Sequence, residues 1–176
     1  MLVNLTDMFL SEGKTVTKQI DLEMQQFEML GEKLEIINKQ PVELVISNLE
    51  NGKVTAVADT KLMVMLSCDR CLKDVEYKFQ IHFSGIVVSP EKISRNENRD
   101  EEVQDFMEGY HLNVETLVSN EILMNWPMKI LCQDDCKGIC KMCGRDLNTG
   151  GCDCDTFVPD PRMAGLKDIF SANKEV

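Results

Sequence analysis

Along residues 75–88 of the chain, Val75, Tyr77, Phe79, Ile81 and Phe83 alternate with Glu76, Lys78, Gln80 and His82. Successive side chains of a strand point to opposite faces, so this period of two predicts a half-buried β-strand. Residues 42–48 repeat the pattern, with Val42, Leu44 and Ile46 on one face and Glu43, Val45 and Ser47 on the other. Asn51-Gly52 follows, then Val54 and Ala56. Asn-Gly between two such runs predicts a hairpin, because both central positions of its turn need positive φ. Residues 15–22 and 61–66 read as further strands, so the chain up to about Pro90 is expected to be mostly strand.

The pattern changes after a polar break at residues 89–105, read as a solvated surface loop. From Asn113 to Asn125 the apolar residues Val114, Leu117, Val118 and Ile122 fall at helical spacing. Asn113 is placed to cap this helix, Glu115 to meet the positive end of its dipole, and Trp126-Pro127 to end it. A second short helix is expected at residues 161–170, with Asp160 as cap and Pro161 in its first position. Its stripe of Met163, Leu166, Ile169 and Phe170 would dock on the domain or await a partner. The expected fold class is α+β: a mainly antiparallel sheet or a partly closed barrel, one or two helices, and a C-terminal zinc-ribbon-like module. The expected division is a β-rich core over 1–131, carrying the helix and the first cysteine knuckle, and a cysteine-rich module with the terminal helix over 132–176.

Composition narrows the function. A length of 176 residues is enough to bury a core without disulfides. The net charge of −11 and pI of about 4.6 oppose a broad nucleic-acid or membrane-surface footprint, which needs positive charge. The opening MLVNLTDMFLSEGK is interrupted by Asp7 and has no basic leader, so it is not read as a secretory signal, and no run approaches a membrane span. A cytoplasmic location is expected. There thiols stay reduced, and clustered cysteines bind metal more often than they form static disulfides.

The eight cysteines fall into C-x2-C (Cys68, Cys71), C-x3-C-x3-C-x2-C (Cys132, Cys136, Cys140, Cys143) and C-x-C (Cys152, Cys154). A C-x2-C pair at a hairpin tip aims two thiolates at one ion, and structural zinc closes a tetrahedron with four ligands, so eight cysteines suggest two zinc ions. The preferred pairing joins Cys140, Cys143, Cys152 and Cys154 in one site, with Gly144 supplying a positive-φ position. It leaves Cys68, Cys71, Cys132 and Cys136 for the other. The competing pairing closes Cys132, Cys136, Cys140 and Cys143 on one ion, and Cys68, Cys71, Cys152 and Cys154 on the other. Unmetallated buried cysteines, a redox pair at Cys68 and Cys71, and an iron–sulfur cluster are weaker readings. The redox pair lacks the helix N-terminus and βαβ context that lower a thiol pKa. No phosphate-cradling glycine loop, G-x-S-x-G or H-E-x-x-H motif is present, and His82 and His111 read as surface or structural residues. The chain is therefore not expected to be an enzyme or to take a small-molecule substrate.

C-D-R-C-L-K-D-V after a strand, a helix ending in W-P, C-K-G-I-C-K-M-C-G-R-D-L-N with a following C-D-C, and a terminal D-P-R-M-A-G-L-K-D-I together resemble the YceD-like family of large ribosomal RNA subunit accumulation proteins. The resemblance is strongest over residues 66–75 and 126–170. It implies a bacterial cytosolic protein whose gene often neighbours that of a large-subunit ribosomal protein, and a role in production or stability of the large-subunit ribosomal RNA. It aligns Cys68 and Cys71 with a shared C-x-R-C element. Cys140, Cys143, Cys152 and Cys154 align with a zinc-like element that some members carry. The implied partner is a large-subunit ribosomal precursor or a ribosomal protein. Lys129, Lys137, Lys141 and Arg145 form the one small basic cluster in an acidic chain and are the candidates for a local RNA phosphate contact. The alternative is an acidic adaptor or chaperone that holds a basic ribosomal protein without touching RNA.

Overall fold

A computed structural model describes residues 1–29, 31–49, 52–91 and 104–154. The expected helix at 161–170 and most of the polar segment at 89–105 lie outside these residues. The described elements are β1 (Leu2–Asn4), α1 (Thr6–Leu10), β2 (Thr15–Ile20), β3 (Gln26–Met29), β4 (Glu32–Lys39), β5 (Val42–Asn48), β6 (Lys53–Ser67), β7 (Asp74–Val88), β8 (Met107–Glu108), β9 (His111–Asn113) and α2 (Val114–Met124). The described residues pack as two compact units: one from residues 1–67 and 74–130, the other from residues 68–73 and 131–154.

In the first unit β6 is the organising strand. Its residues Val54, Ala56, Ala58, Leu62, Val64 and Leu66 are buried on one face. Thr60 falls in the same phase and donates its hydroxyl to the Gln40 carbonyl at 2.9 Å, which satisfies a buried polar group. β7 pairs antiparallel with β6 over its full length, from Lys53↔Val88 to Ser67↔Asp74. The other edge of β6 is shared: β5 takes residues 54–59 and β4 takes residues 62–64. The sheet order is β2-β5-β6-β4-β3, with β7 on the remaining edge of β6. All its pairings are antiparallel, as the alternating pattern requires.

The partly closed barrel does not form. Closure would need the outer edge of β7 to pair with β2 or β3, and the described pairings contain neither. The edge of β6 divided between β4 and β5 branches the sheet instead of wrapping it. Gly52, the described half of the expected Asn-Gly turn, has φ +65°, and the hairpin from β5 to β6 follows as the sequence implied.

Helix α2 buries Val114, Leu117, Val118 and Ile122, the residues of its predicted stripe. Asn113 caps it by accepting from the Thr116 N–H at 3.3 Å. Trp126, just past its end, stacks on Phe27 of β3 and packs at a tilt against Phe79 of β7, with ring centroids 6.5 and 5.7 Å away. A small second sheet, β1-β9-β8, precedes α2. Glu115 accepts from the N–H groups of Glu23 and Met24 and from the Met1 ammonium, at 2.9–3.0 Å. It thereby ties the helix start to the segment that leads into β3.

Candidate metal centres

The chain leaves β6 at Ser67 and returns in β7 at Asp74, so Cys68–Lys73 is the turn of the longest described hairpin. Within it the Cys68 N–H donates to the Lys73 carbonyl at 2.8 Å and the Leu72 N–H to the Cys68 carbonyl at 2.9 Å. The second C-x2-C repeats this frame. The Cys140 N–H donates to the Arg145 carbonyl and the Gly144 N–H to the Cys140 carbonyl, both at 2.8 Å. The residue after the second cysteine is left-handed in each, Leu72 at φ +59° and Gly144 at φ +71°. Glycine adopts this region freely, whereas a leucine pays roughly 1–2 kcal/mol for it. Two turns of the same shape thus present two thiols each.

The remaining thiols complete two groups. Cys68, Cys71, Cys132 and Cys136 lie with their sulfurs within 4.8 Å of one another, and so do Cys140, Cys143, Cys152 and Cys154. These are the two sets of the preferred pairing; the competing sets are not brought together. Cys68 and Cys136 sulfurs are 3.8 Å apart and those of Cys71 and Cys132 are 3.5 Å apart. A disulfide needs about 2.05 Å. A tetrahedral ion with metal–sulfur bonds of about 2.3 Å separates its sulfurs by about 3.8 Å. The donor chemistry and the spacing both fit a soft or borderline cation held by four thiolates, as zinc is.

The thiols do not share one proton affinity. Burial raises Cys68, but N–H groups of Arg70, Cys71 and Cys132 and the Cys71 thiol outweigh it and bring the group down to about 6. In the other group the Cys143 and Met142 N–H groups and the Cys152 thiol lower Cys140 to about 6. Cys132 is pushed up to about 12 by its bond to Cys71, by burial and by its other thiol neighbours. Cys154 is pushed up to about 12 by Cys143, Cys152 and burial. In each group at least one thiolate forms readily and a neighbouring thiol keeps its proton, because adjacent thiolates repel. A cation at the centre removes that repulsion, so a divalent metal would displace the remaining protons.

The first group has an outer layer of polar contacts. Burial raises Cys136, but the Asn148 amide, donating to its sulfur at 3.4 Å, and the Gly138 N–H lower it on balance. Asn148 also accepts from the Lys137 N–H at 2.8 Å. Asp146 accepts from both the Asn148 N–H and its side-chain amide at 2.8 Å, and it pairs with Lys73 at 2.6 Å. The Arg70 guanidinium donates to the Cys136 carbonyl. Gly138 lies at φ +78°, and a Cβ there would meet the Arg70 carbonyl oxygen at 2.9 Å, so only glycine fits. Arg70, Lys73, Asp146 and Asn148 escaped the sequence reading. Their signals were local runs: C-D-R-C-L-K holds Arg70 and Lys73, and G-R-D-L-N, after the second knuckle, holds Asp146 and Asn148.

Of the basic candidates, Lys137, Lys141 and Arg145 are exposed in the cysteine-bearing unit, while Lys129 is exposed in the first unit. Asp134, Asp135 and Asp153 are exposed beside them in sequence, so the cysteine-bearing unit is mixed in charge. His82 pairs with Asp59 at 2.6 Å on the solvent face of the sheet. His111 sits in β9 opposite Asn4 and Glu108. Neither stands with the cysteine groups. No helix among the described residues is long and apolar enough to cross a membrane.

The fold and the cysteines together define a class: an open antiparallel sheet protein whose chain also carries two four-cysteine groups able to hold metal ions. The family model for large ribosomal RNA subunit accumulation protein YceD matches residues 57–170, well over half of the chain and a span that includes all eight cysteines. The chain belongs to this family, whose name ties it to accumulation of the large-subunit ribosomal RNA. Searches of curated proteins and of solved structures return no match.

Proposed function

We propose that this protein is a zinc-stabilised, non-catalytic factor in accumulation of the large-subunit ribosomal RNA, acting in the bacterial cytoplasm on a large-subunit precursor. The family match over residues 57–170 carries this reading. The two four-thiol groups support zinc as the metal, because they fit closed structural sites without an open position for water or substrate. In this reading Cys68, Cys71, Cys132 and Cys136 hold one ion and Cys140, Cys143, Cys152 and Cys154 the other. Residues 132–176 form a metal module appended to a β-rich core, 1–131, that lends it the first knuckle. Lys137, Lys141 and Arg145, exposed on that module, contact RNA phosphate, with Lys129 as a further candidate.

A tagged form run through a density gradient, from RNase-treated and untreated lysate, tests the reading. Co-migration with large-subunit precursors that RNase abolishes is expected. Changing Lys137, Lys141 and Arg145 together to Glu is expected to abolish that association at unchanged zinc content, and unchanged association would remove these residues from the account.

The net charge of −11 favours a second reading, in which the protein holds a basic ribosomal protein before assembly. A small, salt-sensitive complex with such a protein, indifferent to RNase, would mark it out.

A further inference from the structure

The loop that joins the second C-x2-C to the C-x-C belongs by sequence to the second cysteine group, yet it reaches the first. Asn148 lies between Cys143 and Cys152, and its amide donates to the sulfur of Cys136 at 3.4 Å. Asp146, on the same loop, holds Asn148 through two bonds of 2.8 Å and pairs with Lys73 of the first knuckle at 2.6 Å. The backbone follows the same course. The Leu147 N–H donates to the Gly138 carbonyl at 2.9 Å, Ile139 bridges Asp146, and the Ile139 N–H donates to the Arg70 carbonyl at 3.2 Å. Asp146 is 19% exposed and Lys73 52%, so the ion pair between them is partly open to solvent.

A donor on a ligating sulfur fixes the orientation of that ligand and tunes its affinity for metal. Here the donor sits on a loop whose two ends are cysteines of the other group. An ion on the second group would fix both ends of the loop and hold Asn148 in place; without it the loop keeps only its contacts to Gly138, Ile139 and Lys73, and the donor is held less firmly.

We propose that the two cysteine sites load metal as a coupled pair, with Asp146 and Asn148 as positioning residues through which a filled second site tightens the first. The inference rests on the reading of both groups as metal sites. Coupling is reciprocal, so a filled first site tightens the second by the same factor.

The test uses the full chain and zinc competition against a chelator, with Trp126 emission reporting that the sheet unit stays folded. Cys152→Ser with Cys154→Ser leaves the first site alone; Cys68→Ser with Cys71→Ser leaves the second alone. The product of the two single-site constants is expected to fall about 10- to 100-fold below the two-site constant of the wild-type chain. Asn148→Ala is expected to lower that two-site constant by a similar factor. It should have a smaller effect in either single-site background, because the first site there holds its donor only loosely and the second never used it. Asn148→Gln, which keeps an amide, should restore part of the loss. A two-site constant equal to the product of the single-site ones, or an Asn148→Ala loss of equal size in every background, would overturn the proposal. A wild-type chain that binds no zinc would instead overturn the metal reading beneath it.

Discussion

Glu115 shows how much one side chain can carry. Burial raises its carboxyl, but the Met1 ammonium and the Glu23 and Met24 N–H groups outweigh this and hold it below its ordinary value. A depressed carboxylate contributes stability that is present above its unfolded pKa, about 4.3, and lost as pH falls through the folded value. Glu115→Gln is expected to cost on the order of 1 kcal/mol at pH 7 and almost nothing in strong acid, read by urea unfolding at both pH values. An equal loss at both would sever Glu115 from the acid dependence. Gly138→Ala forces a left-handed alanine against the Arg70 carbonyl, and zinc affinity of the first site is expected to fall while Gly144→Ala, with nothing within 4 Å of its Cβ, costs less. The cysteines and Gly144 were legible because their spacing is local. Gly138 and Asn148 were not, since Arg70 and Cys136, which explain them, are brought to them only by folding.

Among the elements, α2 was readable nearly to the residue, because its buried stripe has one period and its cap is an asparagine in place. Ile122 is fully buried, and Ile122→Ala is expected to cost about 2–5 kcal/mol in chemical unfolding followed by Trp126 emission. The sequence pattern gives β6 as two pieces, one at Val54 and Ala56 and one at 61–66, with Asp59 and Thr60 between them. In the structure Asp59 and Lys61 face solvent and Thr60 is satisfied by Gln40, so the strand runs through, where its partner changes from β5 to β4. The β3–β4 hairpin was not singled out. Phe27 is its one buried residue among those described, so little apolar alternation marks it. A branched sheet against a closed barrel is decided by edges, and a single strand's pattern does not record its neighbours.

At the scale of the molecule, charge and cysteine spacing pull in one direction. An acidic chain with a broad RNA footprint would work against its own field, so the proposed RNA contact is a local one, at the exposed Lys137, Lys141 and Arg145. Zinc removal is expected to unfold the segments around the cysteines, since ligand binding is folding energy for such sites, and far-ultraviolet signal from the sheet should survive chelation better than that of the module. The ligand sets themselves admit the most direct test, by zinc content of two double variants. Cys68→Ser with Cys132→Ser is expected to leave one zinc, because both belong to the same group, and Cys132→Ser with Cys140→Ser to leave none, because each breaks a different group. One zinc retained in the second variant and none in the first would contradict the account and establish the competing pairing.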